Sequence, residues 1–169
     1  MVKRRFQRRS VLAGFAATLF FPISAQAEDY IDLNWEDLLP KNEIAIPNAL
    51  RGLNEDANAP LSSQQPASSG VRTDWNGQIV RLPGYVVPIE LQGTGITAFI
   101  LVPYIGACVH VPPPPANQLV FVTTETPFES NRLFEPVNVT GMFGVASTST
   151  QLGEIGYSLS ADKIELYRP

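Results

Sequence analysis

The chain has 169 residues, 44% of them hydrophobic and 17% charged, with one Cys, one His and 15 Pro. That length supports a single domain with a real core. One Cys and one His exclude a disulfide framework, a Cys-rich zinc finger, a CxxC redox pair, a multi-histidine metal cage and an HExxH metalloprotease, and proline at about twice its usual share argues against a helical protein.

Residues 1–27 read as a targeting segment. Lys3, Arg4, Arg5, Arg8 and Arg9 form a basic head, Val11–Ile23 a short apolar stretch, and Ala25-Gln26-Ala27 a small-x-small cleavage site. The apolar stretch is too short to span a bilayer. Arg8-Arg9-Ser10-Val11-Leu12 is similar to the twin-arginine export signature, so the expected address is the periplasm. The segment holds five of the 12 basic residues and none of the 16 acidic ones, so the remainder carries a formal charge of about −9. Such a chain is a poor ligand for nucleic acid, where phosphate neutralisation supplies the affinity, and for anionic membrane surfaces. Cationic partners, metal ions included, are favoured.

Asn34–Pro40 predicts one short helix, with Asn34 as cap, Asp37 at its third position and Pro40 as its stop. Residues 54–74 are rich in Ser, Pro, Asn and Ala and nearly free of large apolar groups, which predicts a mobile loop. Residues 28–76 are thus expected to pack as helix and loop on a β domain over 77–169.

Strands are predicted at Gln78–Leu91, Ile96–Val102, Leu119–Thr123, Val137–Ala146 and Ile155–Tyr167. Pro83-Gly84 marks a bend in the first, and Pro88 cannot donate to a ladder, so that strand is bulged or partly at an edge. Ile96–Val102 is continuously apolar, as for a strand buried on both faces. In the last strand Tyr157, Leu159 and Ala161 alternate, whereas Ile164 and Leu166 resume in the opposite parity, which requires a bulge or tight turn at Asp162-Lys163. Five strands with corner-forming Gly84, Gly141 and Gly144 predict a mainly β fold, a small five-stranded OB-like barrel, over a β-sandwich.

The chemistry-bearing segment is Tyr104–Gln118, YIGACVHVPPPPANQ, which holds the only Cys and the only His two positions apart. In an extended stretch, residues i and i+2 face one side, so Cys108 and His110 are expected side by side. Pro112, Pro113, Pro114 and Pro115 form a stiff rod that holds the pair and offers apolar edges to a partner. Three readings are open: a zinc site, with copper as the lesser alternative, completed by ligands from elsewhere; a His-activated Cys nucleophile in a hydrolase, with Asn117 as orienter; or a buried structural thiol. Asn117 and Gln118 are expected to hydrogen-bond the loop's own backbone.

The motif GACVHVPPPPANQ, with ITAFILVPY and VRLPGYVVPIE before it and GMFGVASTSTQLGEIGYSLSADKIELY after it, resembles a bacterial family of exported proteins known mainly as a domain of unknown function. The likeness spans about residues 31–167. It implies a periplasmic protein related to ones encoded beside ATP-binding-cassette transporter components and zinc-responsive His-rich proteins. Cys108 and His110 become the family's signature pair, and Tyr104, Gly106, the prolines, Asn117 and Gln118 the loop that presents it. No catalytic activity comes with the resemblance. The expectation is a periplasmic accessory factor in metal handling, zinc first, with an interaction module of an envelope transport complex as the alternative and a Cys–His hydrolase third.

Overall fold

The computed structural model describes residues 29–41, 60–109, 111–130 and 132–167. The leader expected at 1–27, the stretch 42–59 and His110 lie outside the described residues. Five long strands close on themselves: β2 (Ile79–Gln92), β3 (Gly95–Val102), β4 (Val120–Glu129), β5 (Pro136–Thr150) and β6 (Gly153–Leu166), with a two-residue β1 (Ile31–Asp32) added beside β2. The order β2-β3-β4-β6-β5 returns to β2, and within that ring only β4 and β6 run parallel. This is the mainly β, OB-like five-stranded barrel that the strand pattern predicts, with one extra strand and almost no helix.

Closure depends on three irregularities. Pro83-Gly84 lies where β2 exchanges partners, pairing with β5 up to Tyr85 and with β3 from Tyr85 onward. The β2–β3 register slips between Pro88 and Glu90, the bulge expected of a strand carrying a residue that cannot donate. On β6, Thr140 pairs with Lys163 but Gly141 with Ala161, so Asp162 is the extra residue that reverses the strand's parity. Gly141 is required there. A Cβ on it would sit 2.1 Å from the Ser160 carbonyl oxygen.

The barrel interior is filled by alternating residues, among them Val80, Leu82, Phe99, Leu101, Val122, Val139, Phe143 and Leu159. Tyr157 is fully buried with them, its ring tilted against Phe143 at 5.1 Å between centroids. Its hydroxyl donates to the Leu38 carbonyl and accepts the Arg72 N–H, both at 2.8 Å. A buried phenol needs such partners.

Those two partners belong to the N-terminal region, which closes one side of the barrel. The predicted helix is a single 3-10 turn, Trp35–Leu38, because four residues ending before Pro40 cannot establish an α-helical ladder. Asp37 Oδ2 accepts the Asn34 N–H at 2.8 Å, and Trp35 Nε1 donates to the Pro83 carbonyl at 2.7 Å. The described part of the polar stretch is tied down by hydrogen bonds in place of apolar contacts. Gln65 Nε2 donates to the carbonyls of Pro114 and Glu154, and its Oε1 accepts the Glu154 N–H. Its composition registers only apolar groups, and so reads as a loose loop.

Candidate functional site

β3 is buried on both faces. Phe99 and Leu101 point into the barrel, while Ile100 and Val102 point outward into a second cluster with Val87, Leu119, Phe134 and Ile155. The chain leaving β3 folds back over this outer face. Val109 and Val111 both donate their N–H to the Gly106 carbonyl, at 3.3 and 3.2 Å, which rolls the segment into a tight turn. Gly106 takes φ +93° and Cys108 φ +67°. The left-handed conformation costs a non-glycine residue about 1–2 kcal/mol. Phe134 takes φ +59°, held by Phe134 N–H to the Val86 carbonyl and Val86 N–H to the Glu135 carbonyl. The two left-handed non-glycine residues thus pack into one cluster, whose burial offsets their strain.

Cys108 is 3% exposed and belongs to the same buried cluster as Ala107, Ile100, Val102, Leu119 and Ile155. Burial pushes its thiol from an ordinary 9.0 up to about 12, because an apolar setting disfavours the thiolate. The backbone at Gly106–Val109 is a turn rather than an extended stretch. His110 is outside the described residues. No group of three or more His, Cys, Asp or Glu side chains placed to hold a metal occurs among the described residues. Of the proposed Cys108–His110 donor pair only Cys108 is described, and its sulfur is closed off from solvent as the loop stands.

The rest of the loop is built inward. Tyr104 and Val109 pack against the outer cluster. Pro112 is half-buried, and Pro113, Pro114 and Pro115 are buried, so the rod is mostly wall. Ala116–Gln118 forms a 3-10 turn. Asn117 Nδ2 reaches the Gly70 carbonyl at 3.0 Å, and Gln118 Nε2 donates to the carbonyls of Trp35, at 2.8 Å, and Asn117, at 3.1 Å. The two buried amides therefore bind the N-terminal region to the loop as well as bonding the loop itself. Gly156 lets these pieces meet: a Cβ there would lie 2.8 Å from both the Ala116 oxygen and Val71 Cγ1. Among the described residues of the loop, Ile105 stands 65% exposed, with Val111 beside the turn.

The same outer face continues past the loop into a groove of about 860 Å³, a size typical of ligand sites. It is lined by Ile89, Phe121 and Leu152 together with Glu90 and the β5–β6 hairpin residues 148–151. Phe121 and Leu152 also touch the cluster that encloses Cys108, so loop and groove share one foundation. Sequence reasoning missed this groove. Phe121 alternates out of phase with the core residues Val120 and Val122, and an outward aromatic on a barrel strand is the signal that pointed there.

Among described residues no helix is long and apolar enough to cross a membrane. The model of a family described as "Protein of unknown function (DUF3299)" matches residues 35–166. The crystal structure of a DUF3299 family protein from Pseudomonas aeruginosa PAO1 is similar at 34% identity and a TM-score of 0.73, covering 83% of this chain and 98% of that one. No curated protein matches the chain.

Proposed function

The chain belongs to the DUF3299 family, and we propose that it is an exported, non-enzymatic interaction module of an envelope transport complex of the ATP-binding-cassette type. Its contact surface is the solvent side of the Tyr104–Gln118 loop. The observation that carries this reading is the loop's construction. The thiol is enclosed, three of four prolines are buried and both amides are engaged, while Ile105 stands 65% exposed on the fixed turn. A pre-ordered loop presenting an aliphatic side chain suits protein recognition, because little ordering entropy is lost on contact.

The zinc-handling and hydrolase readings both require a thiolate at Cys108. Burial raises the free thiol's pKa, the opposite of what an activated nucleophile needs, and leaves the sulfur closed off from an ion in solvent. The interaction reading requires no chemistry from it. The test is affinity capture of envelope components by the mature chain, with and without chelator. Capture of a transporter component that survives chelator and is lost with Ile105→Asp supports the reading. Capture abolished by chelator or by Cys108→Ser, and indifferent to Ile105→Asp, returns the function to metal.

A further inference from the structure

The outer wall over β4, β6 and β5 carries a track of three adjoining hollows. The 860 Å³ groove and a second hollow of about 340 Å³, walled by Thr123, Met142, Gly144 and Ser158, share Phe121. A third hollow of about 240 Å³ at Glu125 and Asp162 shares Ser160 with the second. Phe121 and Glu125 lie four residues apart on one strand, about 13 Å at the rise of extended chain, so the track accommodates several residues of an extended segment.

Three features of its lining select the occupant. Every charged side chain on it is acidic: Glu90 in the first hollow, Glu125 and Asp162 in the third. The neighbouring cation, Lys163, is paired with Glu165 at 3.2 Å. Three of its hydroxyls spend their protons on the protein: Ser149 Oγ donates to Glu154 Oε1 at 2.6 Å, Thr150 Oγ1 to the Gly153 carbonyl and Thr124 Oγ1 to the Thr126 carbonyl, each at 2.9 Å. Those three keep lone pairs for a ligand's donors. Finally, Ile89, Phe121 and the 54%-exposed Met142 supply apolar stations along the track. A polyanion would bring negative charge against these carboxylates. Lys and Arg side chains bring donors only, on apolar stems.

We infer that this track binds an extended basic segment of a partner protein, its cationic heads meeting Glu90 at one end and Glu125 and Asp162 at the other, with apolar side chains over Phe121 and Met142. The inference rests on the interaction-module reading and names the partner's chemistry. The probe is a fluorescent nonapeptide of alternating Lys and Leu, titrated with the full mature chain and followed by anisotropy, with a Gln-for-Lys peptide as the neutral control. The Lys peptide binds, and its affinity falls about tenfold between low and moderate salt. Glu90→Lys and Glu125→Lys each weaken it about fivefold. Glu36→Lys, the same charge change at an exposed position on the 3-10 turn that lines none of the hollows, alters it less than about twofold. Circular dichroism confirms that the variants remain folded.

Equal binding of the Gln peptide, or equal weakening by Glu36→Lys, overturns the inference. Absence of peptide binding while capture by the loop persists also overturns it and leaves the interaction-module reading standing. Peptide binding with the predicted charge dependence, alongside capture indifferent to Ile105→Asp, supports the track and removes the loop.

Discussion

Alkylation of Cys108 measures how tightly the loop closes over the barrel. A thiol of pKa 9.0 is about one-tenth ionised near pH 8, whereas one at about 12 is ionised to about one part in ten thousand. Because the thiolate is the nucleophile, the folded chain is expected to react about a thousandfold more slowly than the unfolded one on ionisation alone. Exposure of only 3% adds to this, since iodoacetamide must wait for the turn at Gly106–Val111 to open. The assay is the rate of carbamidomethylation near pH 8, followed by mass spectrometry, in native buffer and in concentrated urea. The native rate should lie at least a thousandfold below the unfolded rate. A native rate within tenfold of it would refute the packing described for the loop, and with it the argument against a reactive Cys108.

The same burial makes stability depend on pH. The folded thiol holds its proton more tightly than the unfolded one, so its contribution is complete below pH 9.0 and is lost as pH rises toward about 12; by pH 10 the loss is about 1.4 kcal/mol. The stability gap between the native chain and Cys108→Ala, from urea titrations at pH 7 and pH 10, should narrow by that amount, and a constant gap would contradict the shift. Gly141→Ala places a Cβ against the Ser160 carbonyl and 2.8 Å from Ala161 Cα. Both are backbone, so the bulge must open, at a cost of about 3 kcal/mol and a Tm fall on the order of 10 °C; an unchanged Tm would show that the bulge is not fixed. Tyr157→Phe leaves the Leu38 carbonyl and Arg72 N–H without the phenol, at about 1–3 kcal/mol. Hydrogen exchange should rise at residues 35–39 and 70–72 first, and uniform loss across the strands would contradict the pinning role.

The strands were legible where burial imposes a pattern. Ile96–Val102 is continuously apolar because β3 carries a core on each face, and the parity reversal at Asp162 could be located because a single extra residue inverts every later side chain. The site was legible only as a place. The turn at Gly106–Val109 was not legible, because the Gly106 carbonyl gathers the Val109 and Val111 N–H groups as a non-local outcome of covering Ile100 and Val102. Pro113, Pro114 and Pro115 read as an exposed rod because proline lacks a donor, yet their apolar rings pack inward equally well. The groove was not legible as a site because its walls come from β2, β4 and the β5–β6 hairpin, which closure alone assembles.

Site-specific photo-crosslinking from a benzophenone side chain in place of Ile105, in cells making the full precursor, tests the interaction reading most directly. One discrete adduct with a component of an envelope transporter is expected, formed equally in chelator-treated cells and weakened by Glu90→Lys. No adduct at 105, with metal co-purifying with the native protein but not with its Cys108→Ser variant, would contradict it.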